Sequence, residues 1–222
     1  KFNLVKNRFG RSINFASNNL YFSFISIFFL AKILFNFTII MDSFSNHFLI
    51  SMPHLDDTVF SKSLIYLCQH DSKGAMGIII NKPMFTEDAT EIISKIGLKH
   101  ITPNIEIYFG GPVNIEMGLF LHDQSYNIDG TITISQSISL TTNRQIVTDI
   151  NKGNGPNDYR FSLGYAGWGR GQIEKEIENG DWLLIPSDDD FIFSISNIDK
   201  WQMAATQFGI KISDMGGSAG IA

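Results

Sequence analysis

The feature that most constrains the fold is a series of short apolar runs after residue 41, each bounded by turn-forming residues. Runs of this length, rich in Ile, Leu and Phe, are typical of β-strands rather than helices. They predict nine strands, at 47–52, 64–68, 77–80, 105–109, 118–122, 131–135, 161–165, 182–185 and 191–195. Several runs are almost continuously apolar, which indicates strands that are buried on both faces.

Four segments have helical periodicity instead. The clearest is 86–96, where Ile92, Ile93 and Ile96 form an apolar stripe and Gly97 follows as the stop signal. The others are 142–151, 172–178 and 199–208. Strands outnumber helices and do not alternate strictly with them, which predicts an α+β fold. Because no repeat or low-complexity linker follows residue 41, we expect residues 41–222 to form a single domain.

Composition changes abruptly at residue 41. Residues 1–40 carry five Lys or Arg, no acidic residue, and 9 of the 19 Phe. The rest of the chain has 12 Lys or Arg against 22 Asp or Glu, so its net charge of −10 and the +5 of the first segment sum to −5. We interpret residues 1–40 as an upstream extension foreign to the domain, since most of them are types that AT-rich codons encode.

The alternative for this first segment is a membrane anchor. Residues 20–40 form a 21-residue apolar stretch with few interruptions, long enough to span the hydrocarbon core, and a basic flank precedes it. A membrane partner is therefore expected only if this stretch is a real anchor.

Cys68 and His70 are the first candidates for chemistry. They stand two residues apart in a predicted strand, where side chains with this spacing face the same side. A thiolate beside an imidazole would suit a thiol-dependent enzyme or a redox sensor. The alternative is structural, since a lone cysteine in an apolar strand is commonly a small core residue.

The densest glycine run lies at 164–171, GYAGWGRG, between a predicted strand and a predicted helix. Such a loop can hold an anion or a nucleotide at a helix N-terminus, and Arg170 would add positive charge. The spacing matches neither a dinucleotide fingerprint nor a P-loop. The alternative is that the glycines only allow Trp168 to fold over a close turn.

The cysteine count and the charge of the chain exclude several classes of function. The single cysteine excludes a disulfide scaffold and cysteine-rich zinc modules, and we expect neither a metal nor a cofactor. The acidic charge after residue 41, with its 12 basic residues scattered, argues against direct binding of nucleic acid.

Four segments of the chain resemble the YqgE/AlgH family of bacterial proteins. They are HFLISMPHLDDTVFSKSLIYLCQHDSKGAMGIIINKP at 47–83, GGPVNIEMGLFLH at 110–122, GYAGWGRGQIEKEIENGDWL at 164–183 and GSAGIA at 217–222. The resemblance runs from about residue 41 to the last residue. It departs from the family pattern at Gln69, where an acid is usual, at Met117, where an Arg is usual, and at Asp181 and Ile221.

The resemblance implies an α+β fold with a bifurcated, partly barrel-like β-sheet flanked by helices, in a small cytoplasmic protein. It implies no established activity; family members carry the label of transcriptional regulators, and a transcriptional regulator is therefore kept as an alternative. We therefore expect a non-enzymatic regulator or binding module that acts through a protein or small-molecule ligand. The residues expected to bind this ligand are His122, Gly167, Trp168, Gly169, Arg170, Gly171, Gln172 and Glu174.

Overall fold

The computed structural model describes residues 43–56, 58–84, 86–96, 105–207 and 209. The strands are β1 (His47–Ser51), β2 (Leu64–Asp71), β3 (Gly74–Ile79), β4 (Ile107–Phe109), β5 (Val113–Asp123), β6 (Ile132–Thr133), β7 (Ile138–Thr141), β8 (Tyr159–Gly169) and β9 (Trp182–Pro186). The helices are α1 (Thr86–Lys95), α2 (Gln145–Asn151), α3 (Gln172–Glu178), α4 (Asp189–Phe193) and α5 (Lys200–Gln207), with a 3₁₀ turn at Pro53–Leu55.

The strands form one sheet that forks along β8. Its order is β6-β7-β5-β8-β3-β2-β1-β9, antiparallel throughout, and β4 pairs with β8 in parallel. The first half of β8 lies between β5 and β4, whereas its second half pairs with β3. This curled sheet with flanking helices confirms the predicted α+β fold and its bifurcated, partly barrel-like sheet.

Glycines allow the chain to cross β8 at the fork. Gly110 donates its N–H to the Leu163 carbonyl at 2.8 Å, just before the chain passes from β4 to β5. A Cβ on Gly111 would lie 2.2 Å from the Tyr165 carbonyl carbon. Gly164 has a φ of +70°, and a Cβ on Gly164 would lie 2.4 Å from the Gly111 carbonyl oxygen. Two backbones therefore touch directly, which only glycine permits.

The core consists of three clusters. The first, which we call the α5-side cluster, fills the concave face of the sheet under α4 and α5 and includes Tyr66, Leu121 and Trp201. The second, the α3-side cluster, lies on the opposite face and includes Trp168 and Ile173. The third packs β5 and β8 against α1 and α2. The second half of β8 thus separates two of the clusters.

The predicted elements needed two corrections, one wrong strand and one missed strand. The run at 191–195 is not a strand, because α4 occupies Asp189–Phe193. Its N-cap is Asp188, whose carboxylate accepts the Asp190 N–H at 3.0 Å, and two acidic residues in its first turn favour a helix. The sequence also missed β7, since Ile138–Thr141 mixes polar and apolar residues although all four are buried.

The predictions for residues 1–40, an extension or an anchor at 20–40, lie outside the described residues. Among the residues that are described, no helix is both long and apolar enough to cross a membrane.

Candidate functional site

A bulge in β2 separates Cys68 from His70. The ladder between β2 and β3 shifts register between Leu67 and Gln69, which leaves Cys68 as the extra residue. Cys68 therefore packs in the α5-side cluster, whereas His70 contacts Glu174 of α3 on the opposite face of the sheet. The prediction that the pair faces one side is wrong, because an extra residue shifts the alternation of side chains by one.

The Cys68 thiol is in the core. The residue is 6% exposed, and its Sγ donates a weak hydrogen bond to the Tyr66 carbonyl oxygen at 3.6 Å. Burial raises the pKa of the Cys68 thiol, so it stays protonated at neutral pH. A reactive thiolate needs the opposite environment. This geometry therefore gives no support to a thiol enzyme or redox sensor built on Cys68 and His70.

His70 holds the segment before β1 against the sheet. Its Nδ1 accepts the Phe44 backbone N–H at 2.9 Å, and the Phe44 ring stacks on the imidazole with the centroids 4.4 Å apart. Because Nδ1 is an acceptor, the ring proton is on Nε2, which donates to Oε1 of Glu174 at 3.1 Å. Both ring nitrogens therefore tie together parts of the fold.

Trp168 and Gln172 belong to a second set of contacts, which we call the indole lock. Its centre is Glu176 of α3, whose Oε2 accepts the indole N–H groups of Trp168 at 2.8 Å and Trp182 at 2.9 Å. Oε1 of Glu176 accepts from Nε2 of Gln172 at 2.8 Å. The two indole rings pack edge to face with their centroids 6.0 Å apart. The lock binds α3 to β8 and β9.

The predicted glycine-rich loop is mostly strand. Gly167 and Gly169 lie within β8, and only Arg170 and Gly171 form the turn into α3. The Gly169 N–H donates to Oε1 of Gln172 at 3.0 Å, and Gly171 is the helix N-cap with a φ of +70°. The described contacts of this segment are thus made largely with its own helix.

His122 lies far from these residues. It pairs with Tyr159 at the start of β8, and Trp168 follows nine residues later, which is about 30 Å at the usual rise of a strand. Its Nδ1 donates to the Asp123 carbonyl at 2.7 Å, and its ring packs edge to face on Tyr126. Nε2 of His122 is buried without a hydrogen-bond partner among the described residues. The structure does not bring His122 together with the other predicted residues.

A groove lies beside the second half of β8, at the tip of the β2–β3 hairpin. Its volume is about 490 Å³, and we call it the hairpin groove; it is lined by Gln69, Asp71, Lys73, Gly74, Ala75, Met76, Val113, Tyr165, Gly167 and Trp168. Of the residues that the sequence predicted to bind a ligand, Gly167 and Trp168 border it. Of the others, apart from the distant His122, Gly169 is the last residue of β8, Arg170 and Gly171 form the turn, and Gln172 and Glu174 lie on α3.

The floor of the hairpin groove is a row of residues across three strands. Gln69 pairs with Met76, and Met76 pairs with Gly167. Met76 and Tyr165 pack on the α5-side cluster, so the row lies on the concave face. The groove therefore opens on the same face of the sheet as the α5-side cluster.

Polar groups stand at the hairpin end of the groove. The Asp71 carboxylate accepts the Lys73 backbone N–H at 2.7 Å, and this hydrogen bond lowers the pKa of Asp71. Gln69 lies beside it, with its Nε2 3.4 Å from Asp71. None of these three residues was predicted from the sequence to bind a ligand; the only signals were the departure from the family pattern at Gln69 and the turn that follows.

A buried network closes the other end of the concave face. Arg160 donates from Nε to the Ile192 carbonyl at 2.8 Å, and its guanidinium stacks 3.9 Å from the centroid of the Tyr108 ring. Lys200 donates to the Ile195 carbonyl. Burial, together with the charge of Arg160, lowers the pKa of Lys200 to about 8. These cations bind carbonyl groups at the end of α4, where positive charge is favourable.

Fold and site together define an α+β domain with a forked sheet and a groove at the tip of the β2–β3 hairpin. Within the described residues, no group of three or more His, Cys, Asp or Glu is arranged as metal ligands would be. A profile of AlgH-like proteins matches residues 48–213. The chain therefore belongs to the AlgH-like family, as the sequence motifs indicated.

Relatives with similar sequences include UPF0301 proteins of two other organisms. The protein of Marinomonas sp. strain MWYL1 is 43% identical over 175 residues, which cover 78% of this chain and 93% of the relative. The protein of Saccharophagus degradans is 43% identical over 180 residues, covering 80% and 88%. Their names assign no activity.

Two solved structures share the fold. The solution structure of the AlgH protein from Pseudomonas aeruginosa has a TM-score of 0.66 and 32% identity, and the match covers 81% of this chain and 96% of that one. A crystal structure of a Corynebacterium diphtheriae protein has a TM-score of 0.61 at 18% identity, covering 77% and 90%, which shows likeness of fold alone.

Proposed function

We propose that this protein is a non-enzymatic binding module whose ligand occupies the hairpin groove. The observation that supports the proposal is the groove itself, which joins a polar end at Asp71 and Lys73 to an apolar wall at Met76, Val113 and Tyr165. Small-ligand sites combine apolar walls with a few polar groups in this way. By contrast, the titratable side chains of the motifs found in the sequence, such as Cys68, His70 and Glu174, make contacts within the fold.

The test is to fill the groove with a larger side chain and to measure whether ligand binding is lost. Val113 lines the groove and is 38% exposed, so Val113→Arg fills the space without removing a core side chain. Val59→Arg is the matched control, because Val59 is 51% exposed and lies outside the groove. The probe is a library of small amides, carboxylates and aromatic amines, and binding is followed by NMR shifts of the ¹⁵N-labelled protein.

We expect saturable shifts at Gln69, Met76 and Gly167 in the unaltered protein and in Val59→Arg, and their loss in Val113→Arg. If neither these probes nor short peptides shift these resonances, or if Val113→Arg binds as well as the control, the proposal is wrong.

The same proposal assigns the protein to the cytoplasm and makes its regulatory effect indirect, through the ligand or a partner protein. The net charge of −10 after residue 41 supports an indirect effect, because phosphate contacts need clustered cations. Titration of a fluorescent DNA duplex at low salt should give no binding, and fractionation of the native cells should recover the protein with the cytoplasmic proteins. Salt-sensitive DNA binding, or recovery with membranes, would contradict this part.

A further inference from the structure

One edge of β8 is left open inside the hairpin groove. β5 pairs with β8 only as far as the pair of Val113 and Tyr165, because the chain before Val113 crosses over at the fork. β8 continues to Gly169, and within the described ranges its last four residues pair with β3 alone. An unpaired strand edge presents N–H and C=O groups that can form hydrogen bonds with another chain.

The backbone of Gly167 faces this open edge. The Gly169 N–H donates to the Gln172 side chain, so it points away from β3. The Trp168 carbonyl oxygen points towards β3, since it would lie 2.1 Å from a Cβ on Gly74. Backbone groups alternate between the two edges of a strand, so the N–H and C=O of Gly167 point the same way as those of Gly169.

The surroundings of Gly167 leave room for a second backbone. A Cβ at this position would lie 3.2 Å from Cε2 of Tyr165 and 3.8 Å from Cγ2 of Val113, so the two side chains border a bare stretch of strand. Glycine in a strand often marks a close approach of another backbone. The open edge is short, because Gln172 already occupies the next outward N–H, that of Gly169.

We propose that the ligand of the hairpin groove is a short extended peptide segment of a partner protein, which adds to the open edge of β8 in line with β5. This inference rests on the proposed function. Gly167 donates its N–H to a peptide carbonyl and accepts a peptide N–H through its own carbonyl oxygen, as in strand addition. Tyr165 and Val113, which border Gly167, contact one peptide side chain.

The continuity of the sheet favours a peptide over a small molecule. β5 forms a ladder with β8 up to Tyr165, and an added strand would occupy the next place in that ladder. A ligand without a peptide-like donor and acceptor would leave the Gly167 groups unused. The short edge predicts an added segment of about two or three residues, at about 3.3 Å per residue.

The experiment compares Gly167→Pro with Gly167→Ala. Proline removes the outward N–H without breaking the ladder with β3, whereas alanine keeps it and places a Cβ 3.2 Å from Cε2 of Tyr165, so that this ring must shift by a few tenths of an ångström. The probe is a library of N-acetylated tripeptide amides, with NMR shifts and titrations of the best binder. We expect Gly167→Ala to bind within about threefold of the unaltered protein and Gly167→Pro to bind about tenfold more weakly, the size of one hydrogen bond.

A second measurement does not depend on the folding of a variant. The best tripeptide is synthesised with its central amide N-methylated, which removes a peptide donor, and we expect its affinity for the unaltered protein to fall by about tenfold. Equal binding of the N-methylated peptide, equal binding of the two variants, or peptide shifts confined to residues outside the groove would overturn the inference.

The results that would refute the peptide ligand differ from the results that would refute the proposed function. If the small-molecule library binds in the hairpin groove and the tripeptides do not, the peptide is wrong and the binding module stands. If neither library shifts the groove residues, both proposals are wrong.

Discussion

The two faces of β8 in its second half have opposite characters. On one face Trp168 is buried against α3, and its indole N–H shares the Glu176 carboxylate with Trp182. On the other face Tyr165 and Gly167 border the hairpin groove, where the strand edge is unpaired in the described part of the chain. Residues that are neighbours in one motif thus serve two different purposes.

The difference shows why a conspicuous motif does not by itself mark a site. The side chains of Trp168, Gln172 and Glu174 are chemically rich, yet they hold α3 to the sheet. The residue that faces the groove is Gly167, which has no side chain. The backbone carries the recognition that we propose, while the side chains stabilise the scaffold around it. Four predictions test this comparison.

The largest effect is expected at the crossing that leaves the edge of β8 open. Gly111→Ala places a Cβ 2.2 Å from the Tyr165 backbone at a φ of +150°, so we expect a loss of more than about 3 kcal/mol in the free energy of unfolding. Gly130→Ala is the control, because Gly130 has a φ of +81° but nothing within 4 Å, and should cost about 1 kcal/mol. Urea denaturation measures both, and similar costs would show that the crossing is not tightly packed.

The next effect concerns the indole lock. Glu176→Ala leaves the N–H groups of Trp168 and Trp182 without their acceptor and should cost about 2–3 kcal/mol. Glu176→Gln keeps one acceptor oxygen and should cost about 1 kcal/mol. Denaturation followed by tryptophan fluorescence measures the loss. An alanine variant as stable as the glutamine variant would mean that the lock contributes nothing beyond packing.

A smaller effect is expected at the closed end of the concave face. Because the pKa of Lys200 falls to about 8 in the folded protein, the unfolded chain binds more protons above that pH. Lys200 should therefore contribute a rise in the free energy of unfolding from pH 8 towards pH 10, opposed by the buried Cys68 thiol and the tyrosines, which ionise more readily in the unfolded chain. In Lys200→Met this rise should flatten. Denaturation midpoints across this range give the slope, and an unchanged slope in the variant would assign the rise to another group.

The smallest effect is expected in the groove. Val113→Arg and Val59→Arg both alter exposed valines, so each should change the free energy of unfolding by less than about 0.5 kcal/mol. The two variants should differ in binding alone. A large loss of stability in Val113→Arg would show that the groove wall supports the fold, and the contrast between the two faces of β8 would weaken.

Local patterns predicted most of the elements but not their relations. The apolar runs correctly located β1, β2 and β9, and the stripe at 86–96 correctly predicted α1. Prediction failed at α4, where a short apolar run is equally typical of a strand, and the Asp188 cap decided the outcome. It failed again at Cys68 and His70, because a bulge depends on how two strands pair and leaves no mark in the spacing of one of them.

The sequence by itself determined the α+β class and the family, because hydrophobic period and turn residues are local properties and the motifs are distinctive. It also identified Trp168, Gln172 and Glu174, although not their roles. Only the tertiary structure decided which side chains meet, that His122 and Trp168 lie near opposite ends of β8, and that the backbone of Gly167 faces a groove. These relations arise from the pairing of strands distant in the chain, and above all from the glycine crossing that forks the sheet.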